Sequence, residues 1–186
     1  MPKKGSPPEI LATELVAQSR LFQIESVHLR FSNGEERDFE RIRGWVSGSV
    51  MVVPMLDDET VLLVREYGVG IEQYFLGFPK GAISPNEEVL VTAQRELQEE
   101  IGYAAHDLVT AMRFSVSPAY QTTSVSLVIA RDLYPSRKEG DEPEPLECVP
   151  WPLNQVDLLI KDPHFIEARS LLALLWVERE WRAKHS

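Results

Sequence analysis

Residues Gly81–Tyr103 read GAISPNEEVLVTAQRELQEEIGY, and the fold turns on that stretch. Ser84-Pro85-Asn86 breaks regular structure, as does Phe78-Pro79-Lys80-Gly81 just upstream, so a tight loop feeds a helix start. Side chains three and four positions apart are neighbours on a helix, which sets Glu96 beside both Glu99 and Glu100. Like charges at that spacing weaken a helix by a few tenths of a kcal/mol per pair. Three crowded carboxylates therefore need either open water or a cation. The first choice makes them an ordinary solvated face; the second makes them a platform for a hard divalent ion, which takes oxygen ligands and keeps some of its water. Position favours the platform. At roughly 100° per residue, Val89, Ala93, Leu97 and Ile101 form one apolar stripe, and the glutamates begin beside that stripe instead of opposite it. They belong at the margin of the core, where a cleft forms.

The same residues carry a family resemblance. Gly81, then Glu87, then Arg95-Glu96-Leu97-x-Glu99-Glu100-x-Gly102 is similar to the Nudix box, G-x5-E-x7-R-E-U-x-E-E-x-G-U, with Tyr103 at its last, usually aliphatic, position. The resemblance implies an α/β fold: an α/β/α sandwich with a mixed central β-sheet, preceded by an N-terminal antiparallel β-hairpin or sheet. It implies an enzyme that cleaves a nucleoside diphosphate linked to another group, using Mg2+ or Mn2+ with more than one ion per site. Carried over by position, Glu96, Glu99 and Glu100 are metal ligands, with the Lys80 carbonyl as a further one. Gly81 is structural, and Glu87 and Arg95 form the ion pair that holds the loop against the helix.

Composition agrees with one globular enzyme domain, alone or with a small appendage. The 186 residues are 44% hydrophobic, enough for a sizeable core. The net charge of −10 argues against nucleic acid as partner. It also opposes an anionic substrate, an opposition that a bound cation relieves locally. The lone cysteine, Cys148, excludes an internal disulfide, fits a reducing compartment and reads as a strand residue. No apolar run approaches the ~20 residues of a membrane span, and the start carries no apolar signal region. No membrane partner is expected, and the cytoplasm is the expected location.

Two segments are expected, 1–46 and 47–186. Residues 1–9 read as a mobile tail. Leu21–Phe31 and Glu35–Arg43 alternate as strands around the hairpin signal Ser32-Asn33-Gly34. In the ADP-ribose branch of the Nudix family such a sheet builds a dimer and part of the nucleotide pocket, so the resemblance implies a homodimer. Trp45 is a candidate for stacking on adenine or simply a packed tryptophan, and Arg43 for reaching a phosphate. Val50–Met55 and Val61–Val64, joined by Asp57-Asp58, read as an antiparallel pair. Tyr74–Phe78, Asp107–Val116 and Ser124–Ala130 read as further strands. Asp162-Pro163 reads as a helix start, an N-cap with proline behind it. The helix it opens would bury Ile166, Leu171, Leu172, Leu174, Leu175 and Trp181.

The acidic run Glu139-Gly140-Asp141-Glu142-Pro143-Glu144-Pro145 reads as a solvated loop on composition alone. In the ADP-ribose branch a glutamate on a loop after the box positions the attacking water. That resemblance makes Glu144 the first candidate and Glu142 the second; flanking prolines restrict where Glu144 points. With Glu100 these are the catalytic candidates, while Arg65 and Lys80 are candidates for stabilising phosphate charge. The wider likeness, in Arg65-Glu66-Tyr67, Gly77-Phe78-Pro79-Lys80-Gly81 and the acidic loop, is to Nudix hydrolases of ADP compounds. It implies hydrolysis of ADP-ribose, NADH, Ap2A and Ap3A with release of AMP. The alternatives are a Nudix hydrolase of another nucleoside diphosphate derivative, such as a nucleotide sugar, or a Nudix-like module that binds a nucleotide without turnover.

Overall fold

The run Val50-Met51-Val52-Val53 is apolar on both sides of the pleat, the pattern of a strand covered on both faces. The computed structural model describes residues 6–44, 47–140 and 142–185. In chain order the strands are β1 (Glu9–Gln18), β2 (Gln23–Arg30), β3 (Glu36–Arg43), β4 (Ser49–Pro54), β5 (Thr60–Gly68), β6 (Gln73–Gly77), β7 (Lys80–Ala82), β8 (Tyr103–Ser115), β9 (Ser124–Pro135) and β10 (Glu147–Pro152). The helices are α1 (Val89–Glu96), α2 (Val156–Leu159) and α3 (Ala168–His185). A π turn, Leu97–Ile101, continues α1, and a 3-10 turn, Leu153–Gln155, leads into α2.

Contacts divide the chain into two units, Met1–Val46 with Ser115–Ser124, and Ser47–Phe114 with Val125–Ser186. In the larger unit β4 pairs parallel with β9 and antiparallel with β7, in a four-stranded mixed sheet of order β7-β4-β9-β8. Strand β5 pairs antiparallel with both β10 and β6 in a second, three-stranded sheet. This corrects the expected pairing of Val50–Met55 with Val61–Val64. The two runs belong to different sheets and share a single bridge, Met55 to Val61. The short acidic connection suggests a hairpin, but a strand apolar on both faces sits at the centre of a covered sheet, and β4 takes its parallel partner from a distant segment.

Alternation along these strands feeds two separate cores. Met51, Val53, Val61, Leu63, Leu127 and Ile129 pack with Val156, Leu159, Ala173, Leu174 and Val177 of α2 and α3. Val50, Val52, Leu62, Val64 and Val128 pack with Ala93, Leu97 and Ile101. Helices thus cover both faces, and the fold is the α/β/α sandwich that the resemblance implies. Cys148 lies in β10.

Two details of the C-terminal region differ from expectation. Asp162 closes an isolated turn, its Oδ1 accepting from His164 N at 2.8 Å, and the helix starts later. Glu167 serves the start of α3, with Oε2 2.8 Å from Ser170 N. The face that α3 buries is Ser170, Ala173, Leu174 and Val177, while Leu172 and Leu175 are exposed, as is Ile166 ahead of the helix.

In the smaller unit β1, β2 and β3 form an antiparallel sheet. Gly34 takes φ +85 at the expected hairpin, a conformation glycine adopts without strain. Strand β1 has no counterpart in the sequence reading. Its residues, EILATELVAQ, are rich in helix formers, and two register shifts, at Ile10/Ala12 and Leu15/Ala17, break its period of two. The segment Ser115–Ser124 joins this unit through Ile42 N to Tyr120 O at 2.7 Å and Thr122 N to Ile42 O at 3.2 Å.

Candidate active site

Gly81 lies in β7 opposite Val50 of β4. A Cβ built there would sit 1.9 Å from Glu96 Oε1, so the bare backbone makes room for that carboxylate. Glu96 and Glu100 are each only 6% exposed. Lys80 N donates to Glu100 Oε1 at 3.1 Å, while Glu100 Oε2 is buried with no hydrogen-bond partner. Burial pushes the Glu100 carboxyl well above the usual carboxylate range, against the opposing pull of the Lys80 charge. Burial raises Glu96 as well.

The helix changes winding where these glutamates stand. The π turn hands Leu97 O to Gly102 N, and Gly102 ends it at φ +75. One extra residue in the turn shifts Glu99 and Glu100 relative to Glu96, and such turns recur at functional sites.

Arg95 ties the loop to this helix. Its Nε lies 3.1 Å from Glu87 Oε1 and its Nη2 donates to Ala82 O at 3.2 Å. Its Nη1 lies 2.7 Å from Glu96 Oε1 and 2.9 Å from Glu99 Oε2. Glu87 also accepts from Ser84 N at 3.1 Å, closing the Ser84-Pro85-Asn86 turn. The Arg95 guanidinium, helped by that backbone donor, holds the Glu87 carboxyl down at about 2.

A cleft of about 640 Å³ is lined by Lys80, Gly81, Ala82, Ser84, Arg95, Glu96, Glu99, Glu100, Glu139, Gly140 and Glu142. That volume suits a nucleotide-sized ligand. Among the described residues no three acidic, histidine or cysteine side chains converge on a common ion position. Arg95 draws Glu96 and Glu99 to itself and so occupies the cationic role in this arrangement. The donor set nonetheless suits a hard divalent ion: it is all oxygen, and Glu100 offers a buried, unpartnered one.

The remaining candidates are placed as follows. Lys80 extends its ammonium to Glu66 and over the Phe75 ring, 5.4 Å from its centroid. Arg65 points across to β10, Nε 2.7 Å from Glu147 Oε2. Glu142 lines the glutamate cleft, whereas Glu144 accepts from the Tyr74 hydroxyl at 2.6 Å in the wall of an adjoining cleft. Arg43 belongs to the smaller unit, its Nη1 3.6 Å from Glu25 Oε1. Trp45 lies outside the described residues.

Three participants escape the sequence reading: Glu66, Tyr74 and Glu139. Glu66 has a usable signal. It is an acidic residue that follows the buried run of β5, and alternation sets it on the opposite face from Arg65. Tyr74 has none, because its partner is 70 residues away.

Comparison with known proteins identifies the family. Residues 8–41 match the NudE-type Nudix hydrolase N-terminal domain, and residues 45–175 match the NUDIX domain. The chain is 50% identical to the ADP compounds hydrolase NudE of Escherichia coli strain K12, over 97% of this chain and 96% of that protein. It is 24% identical to the ADP-ribose pyrophosphatase of Bacillus subtilis strain 168, over 90% of this chain and 91% of that one. A crystal structure of an ADP compounds hydrolase superposes with a TM-score of 0.90 at 48% identity, covering 99% of this chain and 98% of that one.

Proposed function

The chain belongs to the Nudix hydrolase family, and on that premise we propose that it hydrolyses the pyrophosphate bond of ADP compounds and releases AMP. The substrates assigned are ADP-ribose, NADH and the diadenosine polyphosphates Ap2A and Ap3A. Water adds across the P–O–P bridge, so ADP-ribose gives AMP and ribose 5-phosphate, and NADH gives AMP and reduced nicotinamide mononucleotide. The observation that carries the reading is the buried, unpartnered Glu100 Oε2 beside a second buried carboxylate, Glu96. Such a pair is costly in isolation and is compensated by a cation.

Glu96, Glu99, Glu100 and the Lys80 carbonyl would hold divalent ions, Mg2+ or Mn2+. Bound there, such ions would neutralise phosphate oxygens and would lower the pKa of the attacking water. Gly81 clears space for Glu96, and Arg95 with Glu87 ties the turn that follows β7 to the helix. A loop carboxylate orients or deprotonates the water. Glu142 is favoured for this because it lines the cleft, and Glu144 is the alternative, engaged here by Tyr74. Lys80 and Arg65 meet phosphate charge on release from Glu66 and Glu147. The protein acts as a homodimer in a reducing compartment, the cytoplasm. Apolar side chains left exposed on the N-terminal sheet, among them Ile10, Leu15 and Phe39, support the dimer.

The test is a product assay with Mg2+ and ADP-ribose, NADH, Ap3A and GDP-mannose. AMP from the adenylated compounds is expected. Product from GDP-mannose alone transfers the assignment to nucleotide sugars, and binding without product makes the chain a sensor.

A further inference from the structure

The glutamate cleft is walled by five carboxylates, Glu96, Glu99, Glu100, Glu139 and Glu142, yet the substrate class assigned to it is itself anionic. Three nearby cations are already engaged: Arg95 by Glu87, Glu96 and Glu99, Lys80 by Glu66, and Arg65 by Glu147. Arg137 is not. It lines the adjoining cleft with Glu99, Glu100, Glu142 and Glu144, and among the described residues its guanidinium makes no ion pair or hydrogen bond.

That guanidinium is nevertheless held in position. A Cβ added to Gly102 would lie 2.9 Å from Arg137 Nε and 3.1 Å from Nη2, so the group rests on bare backbone at the end of the π turn. The residues on either side are tied to the same helix end. Ser136 N donates to Gly102 O at 3.0 Å, Lys138 N donates to Gln98 O at 3.1 Å, and Gln98 Nε2 donates to Ser136 Oγ at 2.8 Å. Lys138 also lines this cleft, but its ammonium sits on a flexible stem and presents a point charge, whereas a guanidinium presents a planar fork.

We propose that Arg137 binds a phosphate of the diphosphate substrate, donating to two of its oxygens from a side chain positioned in advance by Gly102, Gln98 and Ser136. This rests on the reading above that the substrate is a nucleoside diphosphate derivative. A fork fixed before binding loses little side-chain freedom when the anion arrives. Its charge is matched by substrate and not by any of the surrounding glutamates.

Arg137→Gln keeps much of the packing on Gly102 and removes the charge; Arg137→Lys keeps the charge and removes the fork. With ADP-ribose and Mg2+, Arg137→Gln is expected to raise KM by about tenfold or more, the scale of a lost charged hydrogen bond, with kcat and Tm retained. Arg137→Lys should fall between it and wild type. Competitive inhibition by ADP should weaken in Arg137→Gln, whereas inhibition by adenosine should not. The proposal is overturned by a wild-type KM and wild-type ADP inhibition in Arg137→Gln. It is equally overturned by a fall in kcat and Tm with KM unmoved, the signature of a packing role. Should no ADP compound be hydrolysed at all, the functional reading fails separately. Calorimetric titration of wild type and Arg137→Gln with ADP and Mg2+ then decides: weaker binding by the variant upholds the assignment, and equal affinities or no binding to either overturn it.

Discussion

Gly81 and Glu96 act as one residue pair. The missing Cβ of the first is the space filled by the carboxylate of the second, with the nearest approach 1.9 Å. Glu96 meets that Cβ with the end of a flexible side chain, so Gly81→Ala should displace the carboxylate more than it disturbs the fold. We expect activity to fall by about 100-fold or more, as for a misplaced catalytic constellation, with Tm only slightly reduced. A large loss of Tm at unchanged activity would show that the glycine serves the strand and not the carboxylate. Glu100 carries the opposite kind of strain. Its carboxyl titrates above the ordinary 4.5, so the ionised group destabilises the ion-free protein at neutral pH, and that penalty disappears as pH falls below 4.5. Glu100→Gln should therefore leave Tm equal to or above that of ion-free wild type while abolishing hydrolysis. Added Mg2+ should raise the wild-type Tm and have a smaller effect on the variant, because only ligand bound to the folded state stabilises it. Equal shifts in a thermal scan would remove Glu100 from the ion site.

At the scale of the element, the loop 83–88 and helix α1 are joined by Arg95, and the join has a pH signature. The Glu87 carboxyl is depressed from 4.5 to about 2, mainly by hydrogen bonds to Arg95. A depressed acid contributes stability that is complete above its unfolded pKa and lost as pH falls through its folded one. Glu87→Gln should cost about 1–2 kcal/mol near neutrality, the scale of a charged hydrogen bond. Denaturant titrations of the two proteins should converge between pH 4.5 and 2. A gap that stays constant across that window would assign the loss to packing. The helix also shows what a sequence reveals at this scale. The stripe of Val89, Ala93, Leu97 and Ile101 and the glutamates beside it are periodic, and periodicity survives without knowledge of the partners. The π turn is not legible in the same way. It arises where the helix ends at Gly102, and the pattern through Leu97 fits an ordinary α turn equally well. Tyr74 with Glu144 and Arg65 with Glu147 stayed hidden for a related reason: each joins residues brought together only by strand order.

For the whole molecule, legibility fails at strand β1 and at the pairing of β4. Helix-forming residues and two register shifts disguise β1, and a short acidic connection disguises the separation of β4 from β5. In β1 pairing with the neighbouring β2 overrides helix propensity, and in β4 pairing with the distant β9 overrides the hairpin signal. The three-stranded sheet that results leaves Ile10, Leu15, Val16 and Phe39 between 47% and 58% exposed, an unusual amount of apolar surface for a sheet this small. A second copy of the chain is the partner proposed for it, and an interface of the standard size, roughly 1,200–2,000 Å² in total, would hold the pair together at working concentrations. Charges placed on that surface separate the possibilities. Leu15→Glu combined with Phe39→Glu adds two carboxylates where water already reaches, so a monomer should tolerate both with little change in stability. In a dimer they face desolvation and each other's symmetry mates, and the pair should dissociate. Sedimentation velocity is expected to show wild type at twice the chain mass and the double variant at the chain mass, each independent of Mg2+. A wild-type protein that sediments as a monomer, or a double variant that remains paired, would leave this sheet without the role assigned to it.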